Sequence, residues 1–365
     1  MPKKIKNCFY KNLTFEKLFQ AHKRARLHKS YKNEVINFEI NLENNLVNLL
    51  NNIKNKKYHL GDYFEFTIYE PKERIIKALP YIDRIVHQWY VEEFIKPYIV
   101  PKFIDTSFAC LKDKGTHKSA KEVQKQMRIV NRNLGNFWVL KCDIKKFFYN
   151  IDTNILYNIM KKYIQDKELL AFTKLHIFDK RNFIDNIGIP IGNYTSQFFA
   201  NIYLNELDQF VKRTLKLKYY TRYMDDFILL LPTKKDCIKI KSQIEIFLYN
   251  KLHLCLNEKS KYYPASMGVN FCGYRIFTTH KLLRLNSKKK IKKNVKNWNI
   301  AFYNKTLDIP LTIQKLNSWS GHAVHCNSYN LRQKIYNSCD FLYTNNTYNK
   351  IEEDLIYDMN NNKII

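Results

Sequence analysis

The hydrophobic pattern changes period several times along this chain of 365 residues, and each change marks an element. From Val35 to Ile53 apolar residues recur at helical spacing (Ile36, Ile40, Val47, Leu50), which predicts one helix. Alternation around Phe64, Phe66 and Ile68, then a run from Arg74 to Leu79 after Pro71, predicts a hairpin. Pro80 opens a helix through Ile85, Trp89 and Phe94 that should end near Pro97. A basic loop, Lys112-Asp113-Lys114-Gly115, precedes a basic helix to about Asn133. Phe137 to Cys142 is a short apolar run that stops at Asp143. Helices are expected over 153–163, 166–178, Thr195 to about Lys212 and 234–251, with strands near 254–257 and 269–276. Gly188-Ile189-Pro190-Ile191-Gly192-Asn193 reads as a loop leading into one of those helices. Beyond Leu285 the chain is basic and helical, beginning at Lys288-Lys289-Lys290. The last twenty residues, rich in Asn, read as a peripheral helix and a frayed end.

Charge narrows the class of partner. Lys and Arg number 62 against 33 acids, a formal net charge of +29. The Lys bias of an AT-rich genome explains Lys over Arg, but not the surplus of bases over acids. A surplus of that size points to nucleic acid or an anionic surface. Residues 1–32 end in His22-Lys23-Arg24-Ala25-Arg26-Leu27-His28-Lys29, either a helix laid on phosphates or a solvated helix face. Aromatic residues, 15% of the chain, supply core and candidate base-stacking surfaces. The eight cysteines include no Cys-x-x-Cys pair and read as thiols in a reducing compartment. His322, His325 and Cys326 lie close together, with Cys339 further on, but their spacing fits no common zinc pattern. No signal peptide and no apolar run of membrane-spanning length are found, so a cytoplasmic protein with no membrane partner is expected.

Tyr223-Met224-Asp225-Asp226 reads as strand, tight turn, strand, with Phe227-Ile228-Leu229-Leu230 following and both acids at the turn. Alone, an Asp-Asp turn is ordinarily a solvated turn, because Asp favours turns. Asp143, at the end of a buried strand 82 residues earlier, changes that. If the two strands are neighbours, three carboxylates converge on one edge. That is a ligand set for two magnesium ions about 4 Å apart, one activating an attacking hydroxyl and one holding a triphosphate. Phosphoryl transfer needs charge neutralisation and in-line geometry, and Lys72 and Arg74 add cations for the triphosphate.

At this point the chain resembles the reverse transcriptases, over roughly residues 60–345. Asp143 in Cys142-Asp143-Ile144-Lys145-Lys146-Phe147-Phe148 matches the first metal-binding motif, and Tyr223-Met224-Asp225-Asp226 matches the Tyr-x-Asp-Asp box. Lys72-x-Arg74 followed by Asp83-Arg84-Ile85-Val86-His87 is similar to the fingers motif that contacts incoming nucleotide, with Asp83 and Arg84 as supports. The resemblance implies the following. Asp143, Asp225, Asp226 and the carbonyl of Ile144 bind two Mg2+, with Mn2+ as a substitute. Phe148 blocks a ribose 2′-OH, and Lys259 in Asn257-Glu258-Lys259-Ser260 lies near the leaving pyrophosphate. Phe271, Cys272, Gly273 and Tyr274 form a primer grip, with Cys272 where Leu is usual. It also implies a right-hand polymerase fold of class α+β. A basic helical extension (1–59) would precede fingers (60–139), a palm with an antiparallel sheet (140–278) and a helical thumb (279–345), with a tail (346–365). The partners implied are template or noncoding RNA, primer and cDNA product, and dNTPs.

One departure refines this. Where most bacterial members carry Gln-Gly-x-x-x-Ser-Pro, this chain has Ile191-Gly192-Asn193-Tyr194-Thr195-Ser196-Gln197. Ile for Gln and Gln for Pro resembles the enzymes of diversity-generating retroelements, as do Asn201, Ser318-Trp319-Ser320-Gly321-His322 and Asn327-Ser328-Tyr329. That group copies a template RNA with errors at adenines, using a basic accessory protein. Ile191 and Gln197 would contact template or nucleotide, and Gly192 would let the backbone approach it. An Ile in place of Gln removes polar readout, which loosens discrimination; the alternative is a packing substitution. Two other readings stay open: an antiphage defence enzyme making cDNA from a noncoding RNA or without an RNA template, and a non-catalytic RNA-binding scaffold. A group II intron maturase is expected less, because no Cys/His-rich endonuclease segment follows the thumb.

Overall fold

The computed structural model describes residues 4–69, 73–179 and 186–342. Lys72 and the predicted tail helix lie outside the described residues. In chain order the elements are α1 (Phe9–Asn12), α2 (Phe15–Arg26), α3 (Asn33–Ile40), α4 (Leu42–Lys54), β1 (Phe64–Ile68), β2 (Arg74–Ala78), α5 (Tyr81–Tyr90), α6 (Lys96–Tyr98) and α7 (Thr116–Leu134). There follow β3 (Trp138–Asp143), α8 (Thr153–Tyr163), α9 (Lys167–Ile177), α10 (Tyr194–Gln209), β4 (Tyr220–Tyr223), β5 (Asp226–Leu231) and α11 (Lys234–Leu252). Last come β6 (Lys261–Pro264), β7 (Val269–Phe271), β8 (Tyr274–Ile276), β9 (Lys281–Leu283), α12 (Leu285–Tyr303), α13 (Ile309–Ala323) and α14 (Tyr329–Asn337). The strands form a β1-β2 hairpin, a four-stranded sheet of order β4-β5-β3-β6 and a three-stranded sheet of order β7-β8-β9. The class is α+β, and the pairs β1-β2, β4-β5, β7-β8 and β8-β9 are antiparallel.

The chain divides into two compact units, residues 1–115 with 140–262, and residues 116–139 with 263–365. The first unit is built around α10, whose Phe198, Phe199, Ala200, Ile202, Tyr203, Leu204 and Leu207 are buried around its whole circumference. A helix apolar on every side must be covered on every side, and α5, α8 and α11 pack on this one. Local chemistry fixes the covering helices. Thr233 and Asp236 form a reciprocal capping box at the start of α11, and His253 ends that helix in left-handed geometry. Asp152 caps α8, accepting from Asn154 and Ile155. Asp166 caps α9 and also accepts from the Cys8 and Phe9 N–H groups, which ties α1 to this unit. In the second unit α12, α13 and α14 enclose Ile291, Val295, Leu316, Ile335 and Phe341.

The helix opened by Pro80 ends near Pro97 as expected, at Tyr98, after a π-helical turn over Val91–Ile95. Three expectations are corrected. The single helix over 35–53 is two, because Asn41 leaves helical geometry (φ −124°, ψ 46°) and Asn45 donates its side-chain amide to the Phe38 carbonyl. The strand expected near 254–257 is reduced to one bridge, Ile144 with Leu256, and the paired strand β6 comes later. The strand expected over 269–276 is a hairpin: Cys272 (φ 47°) and Gly273 (φ 88°) turn it back, the two positive φ values a tight hairpin turn needs. All eight cysteines are free thiols. No helix among the described residues is long and apolar enough to cross a membrane.

Candidate active site

The acids meet because β5 lies between β4 and β3. Asp143 is the last residue of β3, and Asp226 is the first of β5, in register with Tyr223. Met224 and Asp225 make the turn, so Asp226 belongs to the strand and not to the turn that the sequence predicts. Burial pushes the Asp225 carboxyl up to about 6. The charge of Asp143 adds to this and Asp226 adds further, while a backbone hydrogen bond and Arg74 pull the other way. Four predicted residues, Asp143, Asp225, Asp226 and Arg74, therefore share one electrostatic neighbourhood.

Each acid is held by backbone or by a charge. Asn257 donates its N–H to the Asp143 carbonyl at 2.7 Å. The Asp143 N–H donates to Ser260 Oγ at 3.1 Å, and that hydroxyl donates back to the Asp143 carbonyl at 3.3 Å. The Asn257-Glu258-Lys259-Ser260 turn thus pins the strand end that carries the first acid. Lys259 itself is exposed, its N–H donating to Asn257 Oδ1 at 3.0 Å. Lys145 N–H donates to the Cys255 carbonyl at 3.0 Å, so the bonds to this segment flank Ile144, whose own carbonyl faces away from Leu256. Lys141 Nζ lies 2.7 Å from Asp226 Oδ2.

The turn is held from beneath by a charge that the motif reading passed over. Arg222 and Asp208 are both fully buried. Arg222 donates Nε to Asp208 Oδ1 (2.8 Å) and Nη2 to Asp208 Oδ2 (2.6 Å), a bidentate pair. Its Nη1 donates to Asn201 Oδ1 (3.1 Å) and to the Met224 carbonyl (2.9 Å). Burial works against the charge of Arg222, but Asp208 more than offsets it and holds the guanidinium pKa above its ordinary value. Tyr220 donates its hydroxyl to Asp208 at 2.7 Å, and Asn201 donates to the Ala109 carbonyl at 2.9 Å. The signal for this network lies in α10, where Asn201, Asn205 and Asp208 form a buried polar stripe on an apolar helix.

The remaining predicted residues fall into two groups. Gly192 (φ +123°) packs on β2, where a Cβ would come within 2.9 Å of Ile76 and 3.0 Å of the Lys77 carbonyl. The close approach that requires glycine is thus to this hairpin. The Ile191 carbonyl accepts from Lys77 N–H at 2.9 Å, and Ile191 and Gln197 are half-buried. Phe148 is half-buried, and its carbonyl accepts from Ile189 N–H at 2.8 Å, which joins the Asp143 segment to the glycine loop. Asp83 is buried, accepting from Tyr58 and Gly61, and Arg84 pairs with Glu34, so both act as supports. Phe271, Cys272, Gly273 and Tyr274 belong to the second unit. There Tyr274 donates its hydroxyl to the His322 carbonyl (2.8 Å), and His322 lies so close to Gly273 that a Cβ would fall 2.6 Å from its Nε2.

The donor set fits a hard divalent cation: carboxylate oxygens, partly enclosed, carrying like charges crowded together. Among the described residues no three Asp, Glu, His or Cys side chains are gathered tightly enough to enclose an ion by themselves, and this includes the His322-His325-Cys326 group. Mg2+ is ordinarily held by one or two carboxylates with water and phosphate oxygens completing its shell, so acids that do not enclose an ion by themselves are compatible with it.

A family model described as "Reverse transcriptase (RNA-dependent DNA polymerase)" matches residues 55–276. The group II intron-encoded protein LtrA of Lactococcus lactis subsp. cremoris is 24% identical over 276 residues, covering 56% of this chain and 44% of that protein. A putative COX1/OXI3 intron 2 protein of Saccharomyces cerevisiae is 24% identical over 204 residues, covering 39% of this chain and 24% of that one. The chain thus spans less than half the length of these curated relatives. Among solved structures, telomerase from Candida albicans in complex with a fragment of telomeric RNA aligns with a TM-score of 0.49. It is 12% identical, over 84% of this chain and 60% of that one. Telomerase from Candida tropicalis aligns with a TM-score of 0.44 and 14% identity, over 64% of this chain and 56% of that one.

The crowding at Asp225 has a measurable sign. In the unfolded chain this carboxyl ionises near 3.8; in the fold it holds its proton to about 6. Stability from the protonated form is fully present below the lower value and is lost as pH rises through the upper one. Asp225→Asn removes the ionisation, so in metal-free buffer it should exceed wild type by about 1–2 kcal/mol at pH 7, discounted for partial exposure. The gap should close between about pH 6 and pH 4. Urea unfolding across that range checks this, and a variant no more stable than wild type at pH 7 would remove the crowding.

Proposed function

The chain belongs to the reverse transcriptase family, and on that footing we propose that it extends a primer by copying RNA into DNA. One observation carries the reading: burial, with the charges of Asp143 and Asp226 added, raises the Asp225 carboxyl to about 6. Carboxylates perturbed by burial and by one another are a mark of functional sites, and a bound cation would relieve them. Asp143, Asp225 and Asp226 would hold two Mg2+, or Mn2+ in their place, with the Ile144 carbonyl as a further oxygen. Held there, two such ions would supply Lewis acidity for the primer 3′-hydroxyl and charge neutralisation for the triphosphate. The chain's own residues orient the reactants. Arg74, within electrostatic reach of Asp225, and Lys72 place cations on the triphosphate. Lys259 takes the pyrophosphate side. Phe148 lies against the sugar and rejects a 2′-OH. Phe271, Cys272, Gly273 and Tyr274 grip the primer strand.

The same reading divides the chain into fingers (60–139), palm (140–278) and thumb (279–345), with the net charge of +29 serving the phosphates of template and product. The finer assignment rests on Ile191 and Gln197. Ile191 is half-buried beside β2 and offers the template base an apolar surface where Gln would offer hydrogen bonds. This favours an error-prone enzyme of a diversity-generating retroelement, working on its template RNA with a basic accessory protein.

Three variants test these roles in primer extension with purified full-length protein. Asp225→Ala should lose several kcal/mol of transition-state stabilisation, about 10³-fold or more in rate, while retaining RNA. Extension at wild-type rate would refute the polymerase reading. Phe148→Ala should raise ribonucleotide incorporation by roughly tenfold or more; unchanged sugar selectivity would take Phe148 out of the gate. Ile191→Gln should lower misincorporation opposite template adenine, read by sequencing the cDNA, and an unaltered error spectrum would make Ile191 a packing residue.

A further inference from the structure

Lys141 is not one of the motif residues, yet it touches one of the acids directly. It lies on β3 two residues before Asp143, so the two side chains leave the strand on the same face. Its ammonium reaches across to the neighbouring strand and lies 2.7 Å from Asp226 Oδ2. The side chains of Lys141 and Asp226 are 19% and 26% exposed, so the pair is shielded from water more than a surface ion pair is. A long, flexible side chain anchored on the central strand can release a carboxylate without moving the backbone.

Resting on the metal reading above, we infer that Lys141 is a built-in counter-cation that competes with Mg2+ for Asp226 and sets the concentration at which the acids take up the ion. The chemistry is a contest for the same oxygens. In the metal-free protein three carboxylates crowd together, and the ammonium of Lys141 offsets one of them. When a divalent ion approaches, the ammonium both occupies an oxygen it needs and repels it. Lys141 therefore stabilises the metal-free site and weakens metal binding by the same interaction. A lysine acting on the triphosphate instead would change nucleotide affinity and leave binding of the bare ion alone.

The test is titration of metal-free, full-length protein with MgCl2 in a calorimeter, with the metal-free melting temperature recorded alongside. Lys141→Met keeps the length of the side chain and removes the charge. It should bind Mg2+ about tenfold more tightly than wild type and melt at a lower temperature without metal. Lys141→Arg keeps the charge and grips a carboxylate with two N–H groups, so it should bind Mg2+ no more tightly than wild type. Unchanged or weaker Mg2+ affinity in Lys141→Met overturns the inference. If that variant does not fold, tighter binding by Lys141→Arg overturns it equally. Asp225→Asn separates the two levels. Wild-type binding that this variant leaves intact would show that the ion does not use the three acids, and the metal reading itself would fall.

Discussion

The turn that carries Asp225 depends on one buried charge pair. Arg222 and Asp208 are fully enclosed, and such a pair is tolerable only when its polar atoms are satisfied. Here Nε, Nη1 and Nη2 of Arg222 all donate, to Asp208, to Asn201 and to the Met224 carbonyl. The last of these bonds ties the pair to the site. Met224 has a φ of +54°, a left-handed conformation of the kind that costs about 1–3 kcal/mol in a residue other than glycine. The guanidinium holds that carbonyl where the strained turn puts it, and the turn in turn puts Asp225 at the edge beside Asp143. Arg222 is also gripped along its backbone: its N–H donates to the Thr106 carbonyl and its carbonyl accepts from Phe108 N–H. Taking away one member of a buried pair typically costs about 3–5 kcal/mol, because the other is left charged in an apolar surround. The position of Asp225 is thus bought with an interaction the core cannot easily give up.

The opposing constraint is the cost of ionising acids that are partly buried and close together. Burial first, and the charges of Asp143 and Asp226 after it, hold the proton on Asp225 to about 6. Asp143 cannot relax away, because Asn257 and Ser260 fix its backbone on both the carbonyl and the N–H side. Asp226 is part of the β4-β5 ladder, and its carboxylate meets Lys141. The three acids are therefore held close by covalent geometry and hydrogen bonds that do not depend on a metal. Rigid elements carrying like charges are the structural form of preorganisation: the work of bringing the charges together is done in folding, and a bound cation relieves it.

Much of this site was legible in the chain, for physical reasons that differ by residue. Asp143 stood out because an apolar strand ended in a charge, and Asp225-Asp226 because a hairpin turn carried two. Spacing and neighbouring residues carried the resemblance from there. Lys141 and Arg222 were hidden because each lies one residue before a motif whose own residues drew the attention. Their partners, Asp226 and Asp208, come from segments distant in sequence or from another element, and a contact across strands has no signature in one strand alone. The polar stripe of Asn201, Asn205 and Asp208 was visible, though it could announce only that some buried partner exists. Element types were read better than element ends. Asn41 breaks a helix through its local hydrogen-bonding geometry, and the Cys272-Gly273 turn folds one apparent strand into two. Apolar periodicity registers neither.

The protein's overall charge and its site have opposite signs, and this shapes how a polyanion must approach. A net +29 raises the local concentration of nucleic acid over the whole surface, an attraction that salt screens within about 10 Å. That long-range field carries no information about where the reactive end should go. At the three acids the local charge is of the opposite sign, and a phosphate chain that reaches them without a cation is repelled. Arg74 and Lys141 offset part of that charge. On the proposed polymerase reading, a bound divalent ion would reverse what is left, so that the ion and the triphosphate accompanying it would be admitted together. The sign change over a few ångströms would then separate binding, which a basic surface favours, from reaction, which the metal would enable.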